Sequence, residues 1–186
     1  GRMEEPERIV SFITAYFARQ VDFKGKKVVV TAGPTYEKID PVRFIGNYSS
    51  GKMGLAIAEE LAGRGAEVVL VCGPVNLKTH HPAIRRVDVE SAAQMYEVTS
   101  REFANSDVAV LSAAVADFTP KEKADHKIKR GKDDLVLELL PTKDIAAELG
   151  KMKNASQLLV GFALETNDEE VNALSKMQRK NLDMIV

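Results

Sequence analysis

Residues 27–33 read "KVVVTAG". Three successive valines and a threonine favour extended backbone, because β-branched side chains are crowded against a helical turn. The run is apolar without polar alternation, so both of its faces meet the interior, as in a parallel sheet covered on two sides. The closing glycine punctuates the strand. The pattern recurs in "AEVVLVCGP" (66–74), "SDVAVLS" (106–112) and "SQLLVGFALE" (156–165), with "IRRVDVE" (84–90) and "LDMIV" (182–186) as further strands. Helical patterns alternate with them. "GKMGLAIAEELAGRG" (51–65) closes on a C-terminal glycine. "SAAQMYEVTSREFAN" (91–105) opens on Ser91, a good N-cap. "TKDIAAELGKM" (142–152) has Thr142 at its cap, and "NDEEVNALSKMQRKN" (167–181) precedes the last strand. The alternation predicts a doubly wound, mostly parallel, Rossmann-like α/β sheet with helices on both faces.

Outside this frame, "EPERIVSFITAYFAR" (5–19) spaces Ile9, Ile13 and Phe17 as one face of an amphipathic helix. Residues 33–50 read as a long loop. "DLVLELL" (134–140) alternates like another strand, and 119–133 is polar and lysine-rich.

The 186 residues suit one domain, and 45% hydrophobic content supports a packed core. A formal charge of −1 lacks the basic excess of a nucleic-acid binder. No apolar run reaches the roughly 18 residues of a membrane helix, and the N-terminus lacks a secretory core. The lone Cys72 has no partner for an internal disulfide. A cytoplasmic protein is expected.

In doubly wound folds ligands gather beyond the C-terminal ends of the strands. There lie "TAGPT" with Gly33, "CGP", "SAAVAD" and "GFALETN". "GNYSSGKMG" (46–54) spells most of a P-loop, but Met53 stands where a P-loop carries Ser or Thr, and about a dozen residues separate Gly46 from its strand. It still offers a helix start at Gly51 whose free N–H groups suit an anion, with Ser49, Ser50, Lys52, Arg43 and Asn47 nearby. A plain capped helix with a glycine loop is the simpler reading. Gly46, Gly51 and Gly54 loosely match a dinucleotide fingerprint, yet "LVCGP" ends its strand without the acid that would hold a ribose. An NAD(P)-dependent oxidoreductase is therefore disfavoured.

"KEKADHKIKRGK" (121–132) is either a solvated loop or a cationic lid over a polyphosphate. Asp117 is a turn aspartate or a magnesium ligand beside nucleotide phosphates. "PTKDI" around Asp144 and Ile145 opens a helix that offers a further anion or ribose contact. Phe162 reads as core, or as a base-stacking ring. Lys176 and Lys180 share a helix face, usually a solvated one. His80, His81 and His126 have no ligand-like partners in the sequence.

Together the blocks "TAGPTYEKIDPVRFIGNYSSGKMG" (31–54), "VCGP" (71–74), "SAAVADF" (112–118), "KIKR" (127–130), "GFALETN" (161–167) and "RKNLD" (179–183) strongly resemble the phosphopantothenoylcysteine synthetase domain of coenzyme A biosynthesis. Arg130 departs from the family's K-x-K-K pattern and keeps the charge. Residues 26–186 carry the likeness. Residues 1–25 look like the tail of the flavin-dependent decarboxylase domain that precedes the synthetase in bifunctional bacterial proteins. FMN would belong to that domain, whose motifs are absent. Family members continue past "LDMIV" into strands used in dimerisation, so the resemblance implies a C-terminally truncated homodimer former.

It further implies a CTP-dependent ligase joining 4′-phosphopantothenate to cysteine through an acyl-cytidylate, with Mg2+ beside the phosphates. By the same resemblance Asn47 holds the acyl intermediate, Arg43 partners it, and Lys127 serves formation of the cytidylate. Asp117, Phe162, Lys176, Lys180 and the Asp144–Ile145 segment match the nucleotide site, and Ala113 and Ala114 would line the cytosine pocket. A nucleotide-binding module without turnover is the remaining alternative.

Overall fold

The computed structural model describes residues 3–19, 21–131, 134–163 and 169–186. In chain order the elements are α1 (Pro6–Arg19), β1 (Lys27–Ala32), β2 (Tyr36–Lys38), β3 (Phe44–Gly46), α2 (Lys52–Gly63), β4 (Glu67–Cys72), β5 (Ile84–Asp88) and α3 (Ala92–Phe103). Then follow β6 (Val108–Leu111), β7 (Phe118–Pro120), β8 (Leu139–Pro141), α4 (Ile145–Met152), β9 (Leu158–Gly161), α5 (Glu169–Arg179) and β10 (Met184–Ile185).

Six strands form one parallel sheet in the order β10-β9-β6-β1-β4-β5. β1 is central, and its pleat splits the core in two. Val28, Val30 and Ala32 pack with Leu55, Ala58 and Ala62 of α2 on one face. Val29 packs with Met95 and Phe103 of α3 and Leu149 of α4 on the other. The doubly wound expectation is met, and the chain order reverses between β1 and β6, where such folds form their crevice.

Local chemistry fixes the helix ends. Ser91 caps α3, with Gln94 reaching back in a full capping box. α2 stops at Gly65, whose φ of +95° suits glycine. α4 corrects one expectation: its N-cap is Asp144, whose carboxylate accepts from Ala147 N–H, not Thr142. Thr142 instead donates its hydroxyl to Ala116 O at 2.7 Å.

Two further expectations are revised. The loop predicted at 33–50 contains the antiparallel hairpin β2–β3, pairing Tyr36 with Gly46 and Lys38 with Phe44. The strand predicted over 134–140 is confined to β8, which pairs with β7 as a separate ribbon and leaves Leu139 and Leu140 exposed. α1 forms as expected, with Val10, Phe12, Ile13 and Phe17 exposed. Among the described residues no helix is long and apolar enough to cross a membrane.

Close passage of backbones sets the C-terminal edge of the sheet. A Cβ on Gly73 would lie 1.7 Å from Pro34 O, and one on Gly54 would lie 2.6 Å from both Ala32 Cβ and Ser112 Oγ. Glycine at 54 lets α2 settle directly on the ends of β1 and β6. Gly54→Ala should therefore cost about 1–3 kcal/mol by overpacking. Gly63→Ala, at the far end of the same helix and facing open space, should be neutral or stabilising by up to about 1 kcal/mol. Urea unfolding of the two variants checks the contrast.

Candidate functional site

Beyond the sheet, the chain following β1 and the chain following β6 run side by side. Ala113 N–H donates to Thr31 Oγ1, Ala114 N–H to Gly33 O and Ala116 N–H to Thr35 Oγ1. Ser112 Oγ donates back to Thr31 O. Thr31 and Thr35 are buried, so their hydroxyls give these amides partners inside the protein. The small residues of "SAAVA" thus form a rigid wall, zipped to the loop that carries Gly33.

Gly33 and Gly51 meet at this edge, at φ of +78° and +73°, and a Cβ on either would crowd Val75 Cγ1, at 3.0 and 3.1 Å. Gly51 precedes α2 without a side-chain cap. Ser49 Oγ accepts from Gly51 N–H and Ser50 Oγ from Lys52 N–H, so both serines shape the turn into the helix. Lys52 is exposed.

The hairpin β2–β3 stands over this wall. Its base is fixed to α3: buried Glu37 accepts from Ala92 N–H at 2.7 Å, at the positive end of that helix. Lys38 pairs with Glu90, and Tyr36 stacks on Phe44 at 3.8 Å. Asn47, just past β3, donates its side-chain amide to Val115 O at 2.9 Å. Asn47 is thereby placed on the "SAAVA" wall.

Arg43 sits at the hairpin tip and turns to Asp40. Its Nε and Nη2 reach Asp40 Oδ2 at 3.0 and 2.5 Å, and Nη2 also donates to Ile128 O at 2.7 Å. Asp40, with no exposed side-chain surface, accepts in addition from the N–H groups of Val42, Arg43 and Ile128. Ala124 N–H donates to Ile39 O. The lysine-rich segment is therefore fastened to the hairpin tip at 124 and 128. Lys127 lies between these points, exposed and without an ion pair among the described residues. Of the other basic residues quoted in this segment, Lys132 lies outside the described residues.

Asp117 is exposed at the end of the wall, and Thr142 N–H donates to its carbonyl. Among the described residues no three His, Cys, Asp or Glu side chains converge as a metal cage. A single exposed carboxylate suits an ion that arrives with phosphates and keeps most of its waters. Asp144 Oδ2 meets Lys180 Nζ at 2.9 Å. Burial pushes the Asp144 carboxyl up, but the bonds from Lys180 and Ala147 N–H outweigh it and hold it below its usual range. Ile145 points into the core beside Leu149. Phe162, half-buried, packs against the α2-side core, and Lys176 is half-buried on α5. Residues 164–168 of the "GFALETN" region lie outside the described residues.

Sequence reasoning singled out Arg43, Asn47 and Lys127 and missed the groups that place them: Thr31, Thr35, Glu37 and Asp40. One signal was present. Asp-Pro at 40–41 starts turns, and the aspartate side chain bonds the amides two and three residues on. An open cleft of about 710 Å³ lies beyond β4 and β5, lined by Pro74, Arg86, Asp88 and Glu97. It holds none of Arg43, Asn47 and Lys127, although Gly73 and Pro74 of "CGP" line it. Asp88 is bonded to Arg86, and β4 ends at Cys72, followed by Gly73, without an acid.

The Arg43 guanidinium holds the Asp40 carboxyl well below the usual carboxylate range, helped by three backbone N–H donors. The folded state thus favours the anion, and its stabilisation is present above the unfolded value near 4 and lost as pH falls further. The stability advantage of wild type over Asp40→Asn should hold constant from about pH 7 to 5 and shrink below about pH 4. Urea midpoints measured across that range check it.

Residues 23–186 match the family described as DNA/pantothenate metabolism flavoprotein C-terminal domain. All of the chain aligns at 56% identity with 53% of a protein from an unknown prokaryotic organism named cysteine/cysteine sulfinic acid decarboxylase. It aligns at 49% identity with 46% of the coenzyme A biosynthesis bifunctional protein CoaBC of Bacillus subtilis. The chain thus spans about half the length of these curated relatives. Among solved structures it resembles the C-terminal domain of a CoaBC protein at a TM-score of 0.78 and 48% identity, over 88% of this chain and 77% of that one. The Cab2 H337A variant in complex with phosphopantothenate-cysteine shares the fold, with a TM-score of 0.73 at 18% identity over 98% and 80% of the two chains.

Proposed function

The chain belongs to the DNA/pantothenate metabolism flavoprotein C-terminal domain family, and on that premise we propose that it is a CTP-dependent phosphopantothenate–cysteine ligase of coenzyme A biosynthesis. One observation carries the reading: the hairpin joins Asn47 to the small-residue wall and, through Arg43, joins the Lys127 segment to the same edge. A rigid backbone wall, a glycine-rich helix start and a cationic loop meet where an α/β sheet binds ligands.

In the proposed reaction a carboxylate oxygen of 4′-phosphopantothenate attacks the α-phosphorus of CTP. The bond to the β-phosphate oxygen breaks, and pyrophosphate leaves with the electron pair. The free amine of cysteine then attacks the acyl carbon. The C–O bond to the nucleotide breaks, CMP leaves, and the nitrogen gives up a proton to form the amide. Lys127 offsets charge developing on the phosphates. Asn47 orients the acyl group for the amine, and a fixed side chain in that place contributes by positioning. Arg43 holds the lysine segment in place. Asp144, Lys180, Lys176 and Phe162 are assigned to the nucleotide, with Ala113 and Ala114 facing the base. Asp117 would help hold Mg2+, whose charge offsets that of the phosphates when bound. The active form is proposed to be a homodimer fused to a decarboxylase domain that carries FMN.

The full-length protein should convert phosphopantothenate, CTP and cysteine to CMP and pyrophosphate. Absence of both products, with decarboxylation of free cysteine instead, would sink the ligase reading in favour of the activity named for the 56%-identical relative. Lys127→Gln should slow pyrophosphate release by about 10²-fold or more. Asn47→Asp should leave that burst intact and slow amide formation. Equal loss of both steps would contradict the role given to Asn47.

A further inference from the structure

We propose that Asp40 is a positioning residue for the first half-reaction, locking the Lys127–Arg130 segment onto the hairpin tip through Ile128. The proposal rests on the ligase reading for its reaction and on geometry for its mechanism.

Both backbone groups of Ile128 are taken by one ion pair. Its N–H donates to Asp40 Oδ2 at 3.0 Å, and its carbonyl accepts from Arg43 Nη2 at 2.7 Å. The two side chains are themselves joined at 2.5 Å. The carboxylate is buried, while Lys127, Lys129 and Arg130 around the clamped residue are exposed. Like charges on successive residues repel, so a loop of this composition left alone would spread into solvent. A buried anion beneath it opposes that, and four N–H donors besides the Arg43 Nη2 contact leave the carboxylate little freedom to shift. Asp40 also closes its own turn, because Oδ1 accepts from Val42 and Arg43 N–H. One carboxylate therefore sets the shape of the tip and the place of the cationic segment together. Lys127 is the residue next to the clamp, so its backbone is fixed while its side chain stays free to reach a phosphate.

Asp40→Asn retains an acceptor for the turn and removes the charge that Arg43 and Ile128 share. In the full-length protein it should slow the pyrophosphate burst at least 10-fold and leave the KM for cysteine unchanged. In a Lys127→Gln background the same substitution should add less than 2-fold, because Asp40 acts through Lys127. Full additivity, or an equal effect on both half-reactions, overturns the proposal, since a merely structural lesion would behave so. Ile128→Pro deletes the same hydrogen bond from the loop side and should reproduce the burst defect. If Asp40→Asn does not fold, a normal burst in Ile128→Pro overturns the proposal. Amide exchange separates this inference from the ligase reading. Should wild type release no pyrophosphate from CTP, the ligase reading fails on its own, and exchange then judges the clamp. Loss of protection at 126–130 in Asp40→Asn, with protection at 36–46 retained, upholds Asp40 as the anchor. Retained protection at 126–130 overturns it.

Discussion

β1 does not leave the sheet into solvent. Residues 31–35 continue through a buried corridor, and each polar group there needs a partner inside the protein. The loop after β6 supplies partners for Thr31, Gly33 and Thr35, and Gly73 N–H supplies one for Ala32 O. The same corridor demands glycine wherever another backbone crosses it, at Gly73 against Pro34 and at Gly54 against Ala32. Everything at the functional edge is built on this doubled loop. Without it the hairpin would have no floor, and Asn47 no carbonyl to bond.

On that floor the site has two kinds of wall. One is backbone against backbone, with Ala113, Ala114 and Gly33 held in place by neighbours on each side. The other is a hairpin and a cationic loop joined by side chains, where Glu37, Asp40 and Arg43 are the fastenings. The first wall suits a task that needs shape, such as receiving a planar base. The second suits one that needs charge brought to a chosen point.

Much of the fold was legible because valine-rich runs and amphipathic helices report their environment locally. Ser91 and Gly65 also marked helix ends correctly, since caps depend on a few neighbouring atoms. The hairpin at 36–46 was not legible, because its stability is tertiary. Tyr36 bonds Glu90, Glu37 bonds Ala92, and the strands are three residues long. The strand expected over 134–140 failed for a related reason: alternation sets a possible pleat, but only 139–141 found a partner in β7. At α4 two capping residues stood two apart, and only the backbone path shows that Asp144 takes the helix while Thr142 takes the wall. The candidate residues with visible chemistry, Arg43, Asn47 and Lys127, could be named from the sequence. Asp40 could not, because a lone aspartate before proline also reads as an ordinary turn.

Cys72 ends β4 beneath the glycine crossing, wholly buried, and burial pushes its thiol up despite the opposing charge of Arg86. It therefore stays protonated and walled off at neutral pH. A protein proposed to consume the thiol amino acid thus carries no competing thiolate of its own among the described residues. The Cys72 sulfhydryl is instead a built-in witness to breathing of the sheet, silent to alkylating reagents until the strands part.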